Sequence, residues 1–270
     1  ANQWSQGWLE QAVLGSSGSP SSILSSKVPK CIPENGSLSR YGLLMPKKPI
    51  ILDFDSTLCA VESLDALANM VLADDPDAQA KVAEIERLTN LGMSGELPLS
   101  ESLARRLDAL TFDRAHVGRL VESLCRQLTP GLVKDRQWIE DQAEHLHVVS
   151  GGFVDWIAPV LTPLGFRAEH IHANVLCWDG DACVGFDQDH PLSQNGGKPD
   201  IVHQLGLGPN KGGIAVGDGI SDLELKRSGH ADWFIAFTAH AQRKVVVQEA
   251  DMEAADWTAL REILDHLWMA

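Results

Sequence analysis

A chain of 270 residues suffices for one generous domain, or for a core domain carrying a smaller inserted one. At 44% hydrophobic and 22% charged its composition excludes collagen-like and wholly disordered classes, and no apolar run approaches the roughly 20 residues of a membrane-spanning helix. The 37 acids against 22 bases give a formal charge of −15, which disfavours nucleic acid as a partner and requires an anionic substrate to be held by a local positive site.

Residues 1–44 hold ten serines, including Ser16-Ser17-Gly18-Ser19-Pro20-Ser21-Ser22, and show no sustained period; they are expected to form a disordered extension. Met45, directly before Pro46-Lys47-Lys48-Pro49, reads as a natural start. The serine-rich, acid-poor leader also fits an organelle-targeting peptide, and it lacks the basic-then-apolar order of a secretory signal. Cys31, Cys59, Cys125, Cys177 and Cys183 are odd in number and form no C-x-x-C, so reduced thiols of a cytoplasmic protein are expected.

Ile50-Ile51-Leu52 is a short apolar run ending in acids, as in a buried parallel strand. Helical periodicity follows, with apolar faces at Leu64, Leu67 and Val71, at Val82, Ile85 and Leu88, and at Leu103, Leu107 and Leu110. Strand-like runs return at His145–Val149, Phe166–His170, Ile214–Val216 and Trp233–Phe237, and the last helix is expected over Trp257–Trp268. Asp179-Gly180-Asp181 reads as a hairpin turn. The pattern predicts an α/β fold: a Rossmann-like parallel sheet with an all-helical insertion after its first strand. The boundaries are 45–61 plus 129–270 for the core and 62–128 for the insertion.

Four motifs carry chemistry. In Asp53-Phe54-Asp55-Ser56-Thr57, strand alternation sends Asp53 and Asp55 the same way at the strand end where open α/β sheets bind ligands. The two carboxylates can serve as nucleophile and acid/base partner or share a divalent cation, or the segment is an acidic turn capping the next helix. In Ser150-Gly151-Gly152 an apolar strand breaks before a helical stretch, allowing close backbone approach to an anion, or simply a turn. Lys198, in Asn195-Gly196-Gly197-Lys198-Pro199, heads a predicted helix whose dipole it opposes; a phosphate would explain it, as would plain solvent exposure. Gly217-Asp218-Gly219-Ile220-Ser221-Asp222 follows a strand, and its two acids suit Mg²⁺ better than a pyrophosphate. His145/His147 and His170/His172 alternate with metal-like spacing, but core or surface histidines account for them better.

In this order the motifs resemble those of the haloacid dehalogenase superfamily, and from about residue 49 onward, roughly four-fifths of the chain, the sequence is similar to the phosphoserine phosphatase family. The resemblance implies a Mg²⁺-dependent hydrolase of O-phospho-L-serine, a small phosphomonoester, with an aspartyl-phosphate on Asp53. It implies Asp55 as acid and base, Ser150, Gly151 and Lys198 around the phosphoryl group, and Asp53, the Asp55 backbone carbonyl and Asp218 around Mg²⁺, with Asp222 in support. The helical segment 62–128 would be a cap whose Glu62 and Arg106 meet the substrate's ammonium and carboxylate. Transfer of the phosphoryl group to an alcohol such as homoserine, another small phosphomonoester as substrate, and a catalytically weak binding module are the alternatives. Ser221 stands where the family usually has Asn, Leu99 replaces a cap aromatic, and Cys59 is close enough to Asp55 for its oxidation to disturb the site.

Overall fold

The computed structural model describes residues 48–207 and 213–269; the extension expected over 1–44 lies outside them. Strand β1 is only Ile50–Leu52, yet it pairs in parallel on both edges, with β2 (Leu146–Phe153) and with β6 (Ile214–Gly217). All three of its residues are buried, the reason this segment is uniformly apolar instead of alternating. With β3 (Ile171–Asn174), β7 (Trp233–Phe237) and β8 (Met252–Ala254) the sheet order is β3-β2-β1-β6-β7-β8, every pairing parallel. The chain runs outward from β1 to β3 and then returns to β6 on the other side of β1. The carboxyl ends of β1 and β6 therefore flank a topological switch point, the place where such sheets hold ligands.

Between β1 and β2 lie α1 (Ser63–Val71), α2 (Ala78–Ser94), α3 (Leu99–Asp108) and α4 (Arg114–Cys125). Their buried positions include Leu64, Leu67, Ile85, Leu88, Leu103 and Leu107, which lie on the predicted faces. The insertion leaves and re-enters through a neck: Cys59 and Leu128 form an antiparallel bridge, Ala60 N–H donates to Gln127 O at 2.7 Å, and Thr129 N–H donates to Leu58 O at 3.0 Å.

Helix α5 (Arg136–Gln142) precedes β2 and α6 (Val154–Leu161) follows it; after β3 comes the hairpin of β4 (Leu176–Asp179) and β5 (Ala182–Phe186), turning at Gly180 with φ +57°. This hairpin grips the insertion: Cys183 N–H donates to Phe112 O at 3.0 Å, and the Arg114 guanidinium lies 4.2 Å from the Trp178 ring centroid. Helices α7 (Gly197–Gln204), α8 (Ile220–Arg227) and α9 (Lys244–Glu249) send Ile201, Val202, Leu223, Leu225 and Val246 into one core with Ile51, Val149, Ala215 and Phe234. The alternate strand residues, among them Leu52, Val148, Val216 and Ile235, are buried on the opposite face; α10 (Trp257–Met269) follows β8.

Two expectations are corrected, and one strand was not expected. Phe166–His170 is not a strand: Ala168–His170 is a 3₁₀ turn, Arg167 pairs at the surface with Glu144 and Glu169, and register with β2 starts only at Ile171, opposite Val148. The break at Ser150 is instead a bulged continuation of β2, irregular between Val149 and Phe153, with Phe153 opposite Asn174. β8 shows no apolar run, because an outer strand with the exposed Glu253 needs none.

The histidines form a stack, with the His147 and His170 ring centroids 4.3 Å apart and His147 and His172 6.4 Å apart. Among the described residues, Asp53, Asp218 and Asp222 alone form a group of three or more with metal-ligand geometry. Burial, reinforced by His170, His172 and His145, lowers the His147 pKa from 6.5 to about 4. Between these values the unfolded chain binds the extra proton, so stability present above the ordinary histidine pKa is lost as pH falls toward 4. Urea unfolding is expected to lose about 1–2 kcal/mol through this group from pH 8 to pH 5, and His147→Gln should flatten that slope.

Candidate active site

Strand pairing continues one residue past β1, where Asp53 N–H donates to Val216 O at 3.0 Å and places the buried Asp53 at the switch point. The chain then turns tightly, Phe54 O accepting the N–H groups of Thr57, Leu58 and Cys59. Ser56 adopts φ +53°, the one positive φ among the described non-glycine residues, and its hydroxyl donates to Glu62 Oε1 at 2.8 Å. The turn thereby brings Glu62 beside the two aspartates. Asp55 accepts from Ser63 N–H at 2.9 Å and from Ser63 Oγ at 3.0 Å, and Trp156 Nε1 in turn donates to that Oγ at 3.0 Å. Burial, then repulsion from Glu62 and Asp53, raises the Asp55 pKa well above the carboxylate range. An upward shift of this kind suits a general acid.

Lys198 enters from the head of α7. Gly196 supplies φ +78°, and a Cβ on Gly197 would lie 1.9 Å from Pro191 O, so only glycine lets the lysine approach this way. Lys198 Nζ donates to Asp222 Oδ1 at 2.6 Å and lies 2.9 Å from Asp53 Oδ1. Burial alone would lower its pKa, but the Asp222 and Asp53 carboxylates outweigh burial and hold it above the ordinary lysine value. Burial and repulsion from Asp53 push Asp222 up to about 7 against the pull of Lys198. A side chain on Gly217 would collide with the Asp222 carboxylate, which also accepts Gly219 N–H at 3.1 Å.

Asp218, at the end of β6, is buried, and its Oδ1 has no hydrogen-bond partner among the described residues. It is ion-paired with Arg243, which also donates to the Asp218 carbonyl at 3.2 Å and reaches to 3.8 Å from Glu62 Oε1. Ligand atoms of Asp53, Asp218 and Asp222 all lie within 4.8 Å of one another.

A cavity of about 230 Å³ is lined by Asp53, Asp55, Glu62, Arg106, Ser150, Gly151, Lys198 and Ser221, with Met93, Leu99 and Leu103 as apolar wall from the insertion. Asp218 and Asp222 are not part of this lining. Arg106 is buried on α3, its Nη1 donating to Thr89 Oγ1 at 3.0 Å and lying 3.9 Å from Asp65 Oδ1, while Thr89 donates to Asp65 at 2.7 Å. Leu99 N–H donates to Asn195 Oδ1 at 2.8 Å, joining the insertion to the loop that carries Lys198. Arg243, Asp65 and Thr89 are outside the residues singled out by sequence, since none lies in a motif of its own, and Asn195 was quoted only as part of the Lys198 stretch. The expected sensitivity of Cys59 to oxidation is not supported: the side chain is fully enclosed, and burial pushes its thiol up to about 12, leaving it protonated and unreactive.

Residues 50–227 match the haloacid dehalogenase-like hydrolase family. Phosphoserine phosphatase, chloroplastic, of Arabidopsis thaliana is 31% identical over 244 residues, covering 86% of this chain and 80% of that protein. The chain belongs to the phosphoserine phosphatase family of haloacid dehalogenase-like hydrolases. A phosphoserine phosphohydrolase-like protein from Francisella tularensis superposes with TM-score 0.71 at 30% identity, covering 80% of this chain and 99% of that one. A phospho-aspartyl intermediate analogue of phosphoserine phosphatase gives TM-score 0.65 at 26% identity, over 82% and 98% of the two chains. The protein is thus a phosphatase, of a family that is generally metal-dependent.

Removing the lysine charge leaves Asp53 and Asp222 buried and facing each other. Lys198→Met is expected to lower unfolding stability by about 3 kcal/mol in metal-free buffer, measured by urea denaturation.

Proposed function

We propose that the protein hydrolyses O-phospho-L-serine to L-serine and phosphate through an aspartyl-phosphate on Asp53. The observation that carries this reading is that one cavity holds, beside Asp53 and Lys198, a half-buried carboxylate at Glu62 and a buried guanidinium at Arg106. An amino-acid head group needs one anion for its ammonium and one planar cation for its carboxylate, and Arg suits the latter.

An Asp53 oxygen attacks phosphorus as the ester P–O bond breaks, and Asp55 passes its proton to the departing serine oxygen. Asp55, now a carboxylate, takes a proton from the water that attacks the aspartyl-phosphate, which releases phosphate and restores both side chains. Ser150, Gly151 and Lys198 hold the phosphoryl oxygens throughout. The donor set fits Mg²⁺: all hard oxygens, with Asp218 Oδ1 buried and without a partner among the described residues. Asp53, the Asp55 carbonyl and Asp218 would hold the ion, with Asp222 and Ser221 in support. When bound it neutralises charge on the phosphoryl oxygens. Arg243, already against Asp218 and Glu62, positions both carboxylates.

Residues 62–128 act as the cap over a core of 45–61 and 129–270, a division supported by the neck at Cys59 and Leu128. No described helix is long and apolar enough to cross a membrane. The serine-rich leader composition and the chloroplastic relative support organelle import over the cytoplasm, which fractionation tests.

Phosphate release from O-phospho-L-serine with Mg²⁺, beside other small phosphomonoesters and an EDTA control, tests the substrate; equal rates across the panel would sink it. Asp53→Asn should cut turnover by roughly 10³-fold or more with an unchanged circular dichroism spectrum. Glu62→Gln and Arg106→Ala should each raise KM for phosphoserine about tenfold or more while moving KM for p-nitrophenyl phosphate little. Equal effects on both esters would show that the pair does not read the amino acid.

A further inference from the structure

We propose that Asn174 is a positioning residue for phosphoryl transfer, pinning the Gly151–Gly152 peptide and through it aiming the Ser150 hydroxyl. The proposal rests on the reading above that Ser150 holds a phosphoryl oxygen.

Asn174 is the last residue of β3 and has no solvent exposure. Its amide nitrogen donates to Gly151 O at 2.9 Å and to Leu192 O at 3.3 Å, using both of its hydrogens. Its Oδ1 has no partner among the described residues. Enclosing an amide whose acceptor is unmatched is unfavourable, so packing does not account for it; an apolar residue of similar shape would serve better.

What the amide holds is chemically specific. Gly151 C=O and Gly152 N–H are the two ends of one planar peptide group, so fixing the oxygen fixes the direction of the N–H. That N–H donates to Ser150 Oγ at 3.1 Å. With Oγ accepting there, the hydroxyl's own hydrogen is left to donate to another acceptor, and Ser150 lines the cavity. A Cβ at 152 would be tight, 3.0 Å from Ile157 Cδ1 and 3.4 Å from both Ser150 Oγ and Asp55 Oδ2. No side chain at that position can set the peptide's orientation, and the bulged β2 backbone supplies no regular ladder partner for it. The Asn174 amide sets it from the neighbouring strand. Its second bond, to Leu192 O, holds the Pro191–Ser193 turn, from which the chain runs to Lys198. One side chain therefore ties together the two stretches that present Ser150 and Lys198.

The test is a double-mutant cycle on p-nitrophenyl phosphate hydrolysis, with inorganic phosphate as competitive inhibitor. Asn174→Ala should lower kcat/KM by about 10- to 100-fold and weaken phosphate inhibition in parallel. Because the effect runs through the serine, Ser150→Ala with Asn174→Ala should be within about threefold of Ser150→Ala alone. Multiplicative losses in the double variant would overturn the proposal, as would an Asn174→Ala enzyme with unchanged kinetics. A thermal melt accompanies each variant; where Asn174→Ala does not fold, the cycle is run with Asn174→Ser. Failure of both to fold assigns Asn174 a purely structural role and overturns the proposal too. An unaffected Ser150→Ala enzyme would remove the premise. A wild-type enzyme that cleaves p-nitrophenyl phosphate without preferring phosphoserine would refute the substrate reading and leave the Asn174 result intact.

Discussion

The site depends on one buried cation between two buried carboxylates. Lys198 bridges Asp53, at the end of β1, and Asp222, at the start of α8. Without the lysine, two enclosed like charges would oppose each other beside Asp218, and without the acids the lysine would be an unpaired buried cation. Neither half is stable alone in a dry interior, so the charge set couples α7, β1 and α8 at the switch point of the sheet. The arrangement also gives the groups their chemistry. Asp53 is left beside a cation, which suits the nucleophile proposed for it, whereas Asp55 is left beside carboxylates, which suits the proposed acid.

That charge set is reached through short, sterically determined segments. A Cβ at Gly197 would collide with the Pro191 backbone and one at Gly217 with the Asp222 carboxylate, while one at Gly152 would crowd Ile157. Ser56, with its positive φ, accepts backbone strain that its hydroxyl's bond to Glu62 helps offset. The sheet is the rigid part, and the turns at its carboxyl edge are shaped by contact between backbone and side chain.

Among the described residues the insertion is joined to the core by backbone and by side-chain bonds, those of Ser63 to Asp55 and Trp156 included. The neck at Cys59 and Leu128 and the hairpin against Phe112 and Arg114 are backbone-bonded, whereas Asn195 reaches Leu99 N–H by a side chain alone. Arg106 comes to the cavity already held by Thr89 and Asp65, which limits the rotamer entropy lost when its guanidinium meets an anion.

Much of this was legible in the sequence, for a physical reason. A strand buried on both faces must be apolar, and the acids at its end must have a use, so Ile50-Ile51-Leu52 followed by Asp53 and Asp55 announced both the sheet and the site. The helical faces of α1 to α3 were legible because burial imposes a 3.6-residue period. Strand β8 was not, because an outer strand of three residues leaves no such pattern, and β3 was placed too early because Phe166, Arg167, Ala168 and Glu169 alternate apolar and polar as a strand does. Arg243, Asp65, Thr89 and Asn174 were illegible for a different reason: each acts on a residue far away in the chain, and nothing local marks it. The sequence by itself determined which reactive groups stand at which strand ends. Only the tertiary structure decided which carboxyl is pushed up by burial and like charge, which lysine is clasped by two carboxylates and which amide reaches the Gly151 carbonyl, because those properties follow from burial and from neighbours that only folding brings together.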